Sequence, residues 1–159
     1  MAVKGIILMK DADGNDLKGP REDGSSLVLD FTFNAQVPHD SHGKIQGQRR
    51  VLPFSVTKEI DQLTPQIFKG LCRNEIFTGI TVNLFRIEPE TGLEKNYFSY
   101  LFTKAHIVNI INSMPSITEN DKESVGQLET VSFVAEEITL VFKEGNIEYT
   151  DKPALHFQA

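Results

Sequence analysis

Three groupings of side chains in this sequence have the types and spacing to do chemistry. His39 and His42 bracket Asp40 in the segment PHDSH, and two imidazoles with a carboxylate between them are the beginning of a metal site. No third firm ligand is near in sequence and the surrounding segment is glycine-rich, so the pair reads as solvated loop and no metal is expected. His106 and His156 stand alone. Glu136 and Glu137 are adjacent carboxylates, but neighbours on a strand point to opposite faces. They cannot flank one scissile bond and read instead as the mark of a bulge. Cys72 is the single cysteine. It falls on an apolar helical stripe, where a small core residue is expected rather than a reactive thiol, and being alone it rules out an internal disulfide or a multi-cysteine zinc site. There is no GxSxG elbow, P-loop or GxGxxG; Gly43-Lys44 lacks both the preceding glycine spacing and a following Ser or Thr. No catalytic residue and no cofactor is expected.

What remains is recognition. The segment Pro38 to Arg50 holds Lys44, Arg49 and Arg50 against Asp40 alone, a local net charge of about +2. The acids concentrate elsewhere, in Asp11 to Asp23, Glu88 to Glu94 and Glu119 to Glu123. The chain as a whole carries −6 with a pI near 5.2, which repels phosphate backbones and makes nucleic acid a poor partner. A basic loop at the end of a compact, acidic domain suits a head-to-tail contact with an acidic patch of the next copy. Such a contact is heterologous and builds rings or filaments.

The elements that must position these groups follow from periodicity. A chain of 159 residues with 40% hydrophobic and 24% charged side chains is expected to form one globular domain over residues 1–159. No apolar run approaches the roughly 18 residues of a membrane span, so no membrane insertion is expected. The opening MAVKGIILMKDADG turns acidic too soon for a secretory signal, so the protein is expected in the cytoplasm unless a dedicated machine exports it. Ile6 to Met9 reads as a first strand. In Leu27 to Val37 the residues Leu27, Leu29, Phe31, Phe33, Ala35 and Val37 share one phase, a strand with one dry face. An extended loop spans about residues 38–50, and β character resumes from Arg50 to Ile60 around an edge or bulge at Pro53. A helix over about residues 64–75 is predicted, capped by Thr64, with Pro65 in its first turn and Ile67, Phe68, Leu71 and Cys72 on its buried stripe. Four strands follow: Ile80–Ile87, Tyr97–Ile111 with a phase change near Thr103, Leu128–Phe142 with a switch at Glu136–Glu137, and Ile147–Thr150. Ser116 to Gly126 reads as a polar, mobile loop. The fold class is mainly β, a small barrel or two-sheet sandwich with one flanking α-helix.

The order of elements and the segments HGKIQGQRRVLPFSVTKEIDQLTPQIFKGLCRNE, NYFSYLFTKAHIVNI and LETVSFVAEEITLVFKEGN resemble the haemolysin-coregulated protein (Hcp) family, the tube subunits of bacterial type VI secretion. The resemblance runs from the first strand to about Thr150. Its most specific parts are Phe54, Thr57, Lys58, Glu59 and Ile60 leading into Thr64 and Pro65, and the pattern around Glu136, Glu137, Ile138 and Thr139. Many relatives carry a tryptophan where Leu140 stands.

The resemblance implies a homohexameric ring with a wide channel, stacked head to tail into a tube. It further implies a spike protein at the tip, a contractile sheath that drives the tube out of the cell, and small effector proteins carried in the lumen. The loop after the second strand resembles the family's ring-stacking loop, which gives Lys44, Arg49 and Arg50 the expected stacking role. No fused toxin domain is expected. The alternative on residues alone is a monomeric β-barrel carrying a small apolar ligand, and a helix in mid-sequence counts against it. Because a ring would carry six times the chain's net charge of −6, free rings are expected to repel one another until apolar contacts and the basic loop outweigh that repulsion.

Overall fold

The computed structural model describes residues 4–114 and 126–153. Nine strands and one helix follow in the order β1 (Lys4–Lys10), β2 (Ser26–Thr32), β3 (Ala35–Gln36), β4 (Arg50–Val51), β5 (Phe54–Glu59), α1 (Thr64–Cys72), β6 (Phe77–Ile87), β7 (Glu94–Ser113), β8 (Leu128–Phe142) and β9 (Ile147–Asp151). All pairings are antiparallel. The main sheet runs β5-β2-β1-β6-β7-β8-β9, and a further β5–β8 pairing closes it into a six-stranded barrel with β9 outside. The long β8 makes this possible by changing partners. Its first half, Leu128 to Phe133, pairs with β5, and its second half, Ile138 to Phe142, pairs with β9.

The inward phase of each strand fills the barrel. Phe54 stands at the centre, its ring 4.7 Å from Phe102, 5.4 Å from Phe133 and Tyr100, 5.6 Å from Phe31 and 5.9 Å from Phe33. Ile80, Val82, Ile107 and Val131 complete the packing. Burial among these rings pushes the Tyr100 hydroxyl above its ordinary range. Side chains fill the middle of the barrel, and an apolar cavity of about 340 Å³ remains beside Phe33, Phe54, Phe102 and Phe133.

The phase changes expected in β7 and β8 occur at the same level. On β7, Phe102 points in and so does Ala105; Lys104 between them sits at φ 53°, which absorbs the change. On β8 the switch falls between Ala135 and Ile138, opposite that point. The register slips further along β7, between Ile107 and Asn109.

Several expectations are corrected. The period-two run Leu27 to Val37 is broken by a bulge between Val28 and Asp30. The bulge puts Ser26 and Val28 inside before Phe31 takes over, and leaves Leu27, Leu29 and Val37 exposed. The run also ends at Thr32, and Ala35–Gln36 pairs instead with Arg50–Val51 in a separate two-stranded ribbon. The helix stops at Cys72, with Asn74 at φ 52° and Glu75 N–H donating to the Gly70 carbonyl in a left-handed close. Its buried line is Leu63, Ile67 and Gly70, with Phe77 packed so close that a Cβ on Gly70 would lie 2.5 Å from the ring. Phe68 and Cys72 therefore face outward and Cys72 is exposed. Thr64 does not cap: Leu63 holds the cap position, and the Thr64 hydroxyl is used elsewhere. The loop expected at 116–126 lies, apart from Gly126, outside the described residues.

Candidate functional site

The β3–β4 ribbon leaves the barrel between β2 and β5 and carries the basic loop. The loop is more ordered than its composition suggests. Asp40 accepts hydrogen bonds from the His42 N–H at 2.9 Å, the Lys44 N–H at 2.8 Å and the Gln46 side-chain amide at 3.2 Å. Its own N–H donates to the Lys44 carbonyl, and Gly43 takes φ 83°, a conformation that suits a residue without Cβ. Asp40 is thereby spent on the backbone of its own loop. His39 is exposed, and among the described residues no three metal-ligating side chains converge.

Hydrogen bonds from the Lys44 and His42 backbone hold the Asp40 carboxyl below its ordinary range. A depressed carboxylate stabilises the folded loop above the unfolded pKa of about 3.9 and loses that contribution as pH falls through the folded value. The Lys44 amide is therefore expected to stay protected from hydrogen exchange at pH 5 and to lose protection below the ordinary aspartate range. Asp40→Ala should expose it already at neutral pH. Equal protection in both proteins would refute the role of this carboxylate.

The three basic residues part company. Lys44 and Arg50 are exposed, and neither has an ion-pair partner among the described residues. Arg49 folds back to the barrel: its Nε donates to Asp151 Oδ2 at 3.0 Å and its Nη2 to Asp151 Oδ1 at 2.5 Å. This two-pronged pair, which raises the guanidinium pKa further, ties the root of the ribbon to the end of β9. Within the subunit Arg49 is thus engaged by Asp151, while Lys44 and Arg50 are left exposed.

The ribbon and the most acidic loop lie at opposite ends of the barrel. Because β1, β2 and β5 are antiparallel neighbours, the β1–β2 connection and the β2–β5 connection must emerge at opposite ends. The first holds Asp11, Asp13, Asp16, Glu22 and Asp23 against Lys18 and Arg21, and the second holds Lys44, Arg49 and Arg50 against Asp40. Within the acidic loop Asp11 accepts from the Asp13 and Asn15 N–H groups. The Ser25 hydroxyl and N–H hold Asp23 below the ordinary carboxylate range.

A second polar constellation lies under the helix. Lys58, on the inward face of β5 and directly opposite Glu129 of β8, is almost fully buried. Its Nζ is 3.0 Å from Glu129 Oε2 and 2.8 Å from Asp61 Oδ1, and it donates to the Glu59 carbonyl at 3.1 Å. The Thr64 hydroxyl donates to Glu129 Oε2 at 2.6 Å and accepts from the Asp61 N–H at 3.1 Å. Asp61 also takes the Leu63 N–H at 2.9 Å and the Ser26 hydroxyl at 2.5 Å, so one carboxylate links β2, β5 and the helix start. Two carboxylates on one ammonium leave an excess negative charge, and Glu129 Oε1 has no protein hydrogen-bond partner. The cluster locks α1 to the barrel. Its own sequence signal was a charge in an apolar phase: Phe54, Val56, Lys58 on one strand and Glu129, Val131, Phe133 on the other.

The other residues singled out from sequence divide between core and surface. Phe54 is the centre of the aromatic core, Thr57 is on the outer wall bonded to Thr130, and Glu59, Ile60 and Pro65 are exposed. Glu136 lies on the surface beside Lys104, while half-buried Glu137 pairs in register with Thr103. No helix among the described residues is long and apolar enough to cross a membrane.

Comparison with known proteins gives a consistent answer. The sequence profile of the family described as type VI secretion system effector, Hcp, matches residues 4–149. Among solved structures, the Hcp1 protein from E. coli EAEC 042 is 28% identical, with a TM-score of 0.84 over 96% of this chain and 99% of that chain. The secreted protein Hcp3 from Pseudomonas aeruginosa shares the fold at 18% identity, with a TM-score of 0.77 over 95% of this chain and 98% of that one. A type VI secretion system effector from Yersinia pestis shares it at 12% identity, with a TM-score of 0.67 over 93% and 98%. A search of curated protein sequences found no significant match.

Proposed function

The chain belongs to the Hcp family and is a type VI secretion tube subunit, and from that premise we propose that its rings stack through the ribbon, with Lys44 and Arg50 of one ring meeting the acidic loop of the next. The observation that carries this reading is that the acidic β1–β2 loop and the basic ribbon emerge at opposite ends of one barrel, while the β6–β7 turn with Glu88 and Glu90 shares the ribbon's end. In a head-to-tail stack the ribbon of one ring then faces the β1–β2 loop of the next, and Lys44 and Arg50 meet its carboxylates. Arg49 and Asp151 hold the ribbon at a fixed angle for the contact.

Around this subunit the reading places a homohexameric ring, a spike protein at the tube tip, a contractile sheath outside, and small effector proteins in the lumen. The subunit itself performs no catalysis. It waits in the cytoplasm as soluble rings and leaves with the tube. The carrier role is tested by co-purifying a candidate effector with rings and by losing it when rings are dissociated.

Stacking has its own test. Each exposed charge pair contributes only about 0.2–1 kcal/mol, but the copies in one junction act together. The double variant Lys44→Glu, Arg50→Glu is expected to keep the ring mass by light scattering and to lose tubes by electron microscopy. Tubes of the unaltered protein should shorten as salt rises. Tubes of normal length from the double variant would refute the assignment. Arg49→Glu alone should act differently, releasing the ribbon from β9.

A further inference from the structure

The strand registers lay two rows of side chains across the outer face of four consecutive strands. One row runs Asp30, Thr57, Thr130, Ile111 and the next Thr32, Ser55, Ser132, Asn109, over β2, β5, β8 and β7 in turn. In the middle of this wall the hydroxyls satisfy one another, Ser55 with Ser132 at 2.8 Å and Thr57 with Thr130 at 3.1 Å. The centre therefore presents short, neutral, hydrated side chains with neither an apolar anchor nor a fixed charge, a poor surface for a protein to grip.

Apolar side chains stand at both margins of the same wall, beside Asp30 on one and Asn109 on the other. On β2, Leu27 is 40% and Leu29 48% exposed; on β7, Val108 is 47% and Ile111 54% exposed. Leu29 and Val108 are each the extra residue at a register slip, and a bulge turns such a residue out of the pleat. The two margins are three strand spacings apart, about 14 Å. Beyond Ala105, β7 has no strand on its β6 side among the described residues, and the helix α1 packs against β7.

A cyclic ring closes only by a heterologous contact, in which one patch of a subunit meets a different patch of its neighbour. This chain carries two such patches, on either side of one hydroxyl wall. Resting on the ring reading above, we propose that Leu27 and Leu29 of one subunit pack against Val108 and Ile111 of the next. The Ser55, Thr57, Thr130, Ser132 face between them then lines the channel. The middle of the channel wall is thereby hydroxylated, with Asp30 and Glu59 as carboxylates on the same face, and the apolar margins are removed from water by the neighbours.

The test is cross-linking within rings. In a Cys72→Ser background, Leu29→Cys with Ile111→Cys is treated with a short bismaleimide, beside light scattering of the same sample. A covalent ladder rising to the full ring is expected, and Thr57→Cys alone, in mid-wall, should give no species above monomer. Leu29→Glu, at an exposed position, should keep its circular dichroism and lower the ring fraction about tenfold or more. Rings by scattering with no ladder would overturn this assignment and leave the ring reading standing. So would a Leu29→Glu protein that still forms rings while Tyr149→Glu, on the exposed face of β9, does not. Unaltered protein that is monomeric at every concentration would remove both.

Discussion

Lys58→Met is expected to destabilise the subunit by about 3–5 kcal/mol, a large part of the roughly 5–15 kcal/mol that holds a domain folded. Methionine matches the lysine stem in volume, so the loss comes from charge and not from a cavity. The ammonium sits 2.8 Å from Asp61 and 3.0 Å from Glu129, with Glu129 fully buried. Without it two carboxylates face each other in a site with little water to screen them. The measurement is the urea midpoint, read with an unchanged slope so that stability and not compactness is compared. Removing the partner as well should separate the two explanations. Lys58→Met with Glu129→Leu is expected to recover much of the loss, because replacing a buried pair by apolar groups is far cheaper than orphaning one member. A single variant that loses less than about 1 kcal/mol would show that the cluster contributes little.

Phe54→Ala is the second large effect, expected to cost about 3–5 kcal/mol. Five aromatic rings lie within 6 Å of the Phe54 ring centroid, so truncation removes one side of five contacts at once. The cavity cannot collapse easily, since Phe54 begins β5 and is held in register with Phe133 of β8. Phe31 and Phe33, which lead into the ribbon, would lose their support. The variant should therefore show a lower melting temperature and, in addition, weaker protection of the ribbon amides. Phe54→Leu should keep most of the stability, because volume is largely conserved. A Phe54→Ala protein as stable as the parent would contradict the central place given to this ring.

Several features were legible before any coordinates, each for a local reason. Hairpin and strand periodicity placed the barrel strands, and the coincident phase switches of β7 and β8 were visible in which residues were apolar. The helix was visible in the Thr64-Pro65 start and the spacing of Ile67 and Leu71. Its facing was not: a short helix with four apolar residues fits two rotations, and contact with Phe77 through Gly70 chose the one that turns Cys72 outward. Leu27 to Val37 looked like one dry face because alternation alone cannot reveal a bulge, and the bulge at Leu29 turned Leu27 and Leu29 outward while Phe31 and Phe33 stayed against the core.

The basic loop shows the same division. Its charge and its length are properties of a stretch of chain, readable from Lys44, Arg49 and Arg50 alone. That Arg49 is bound to a carboxylate 102 positions away, while Lys44 and Arg50 stay exposed, depends on β9 returning beside the ribbon.

By itself, then, the sequence determined what neighbours in the chain decide: strand and helix phases, turn chemistry, the charge of each loop, and the motifs that mark an Hcp subunit. Tertiary structure decided what meets what. The Lys58, Asp61 and Glu129 cluster, the Arg49 anchor, and the hydroxyl wall with its two apolar margins all join strands that are distant in sequence. Periodicity says which residues share a face, but only closure of the barrel and its registers says which faces lie side by side.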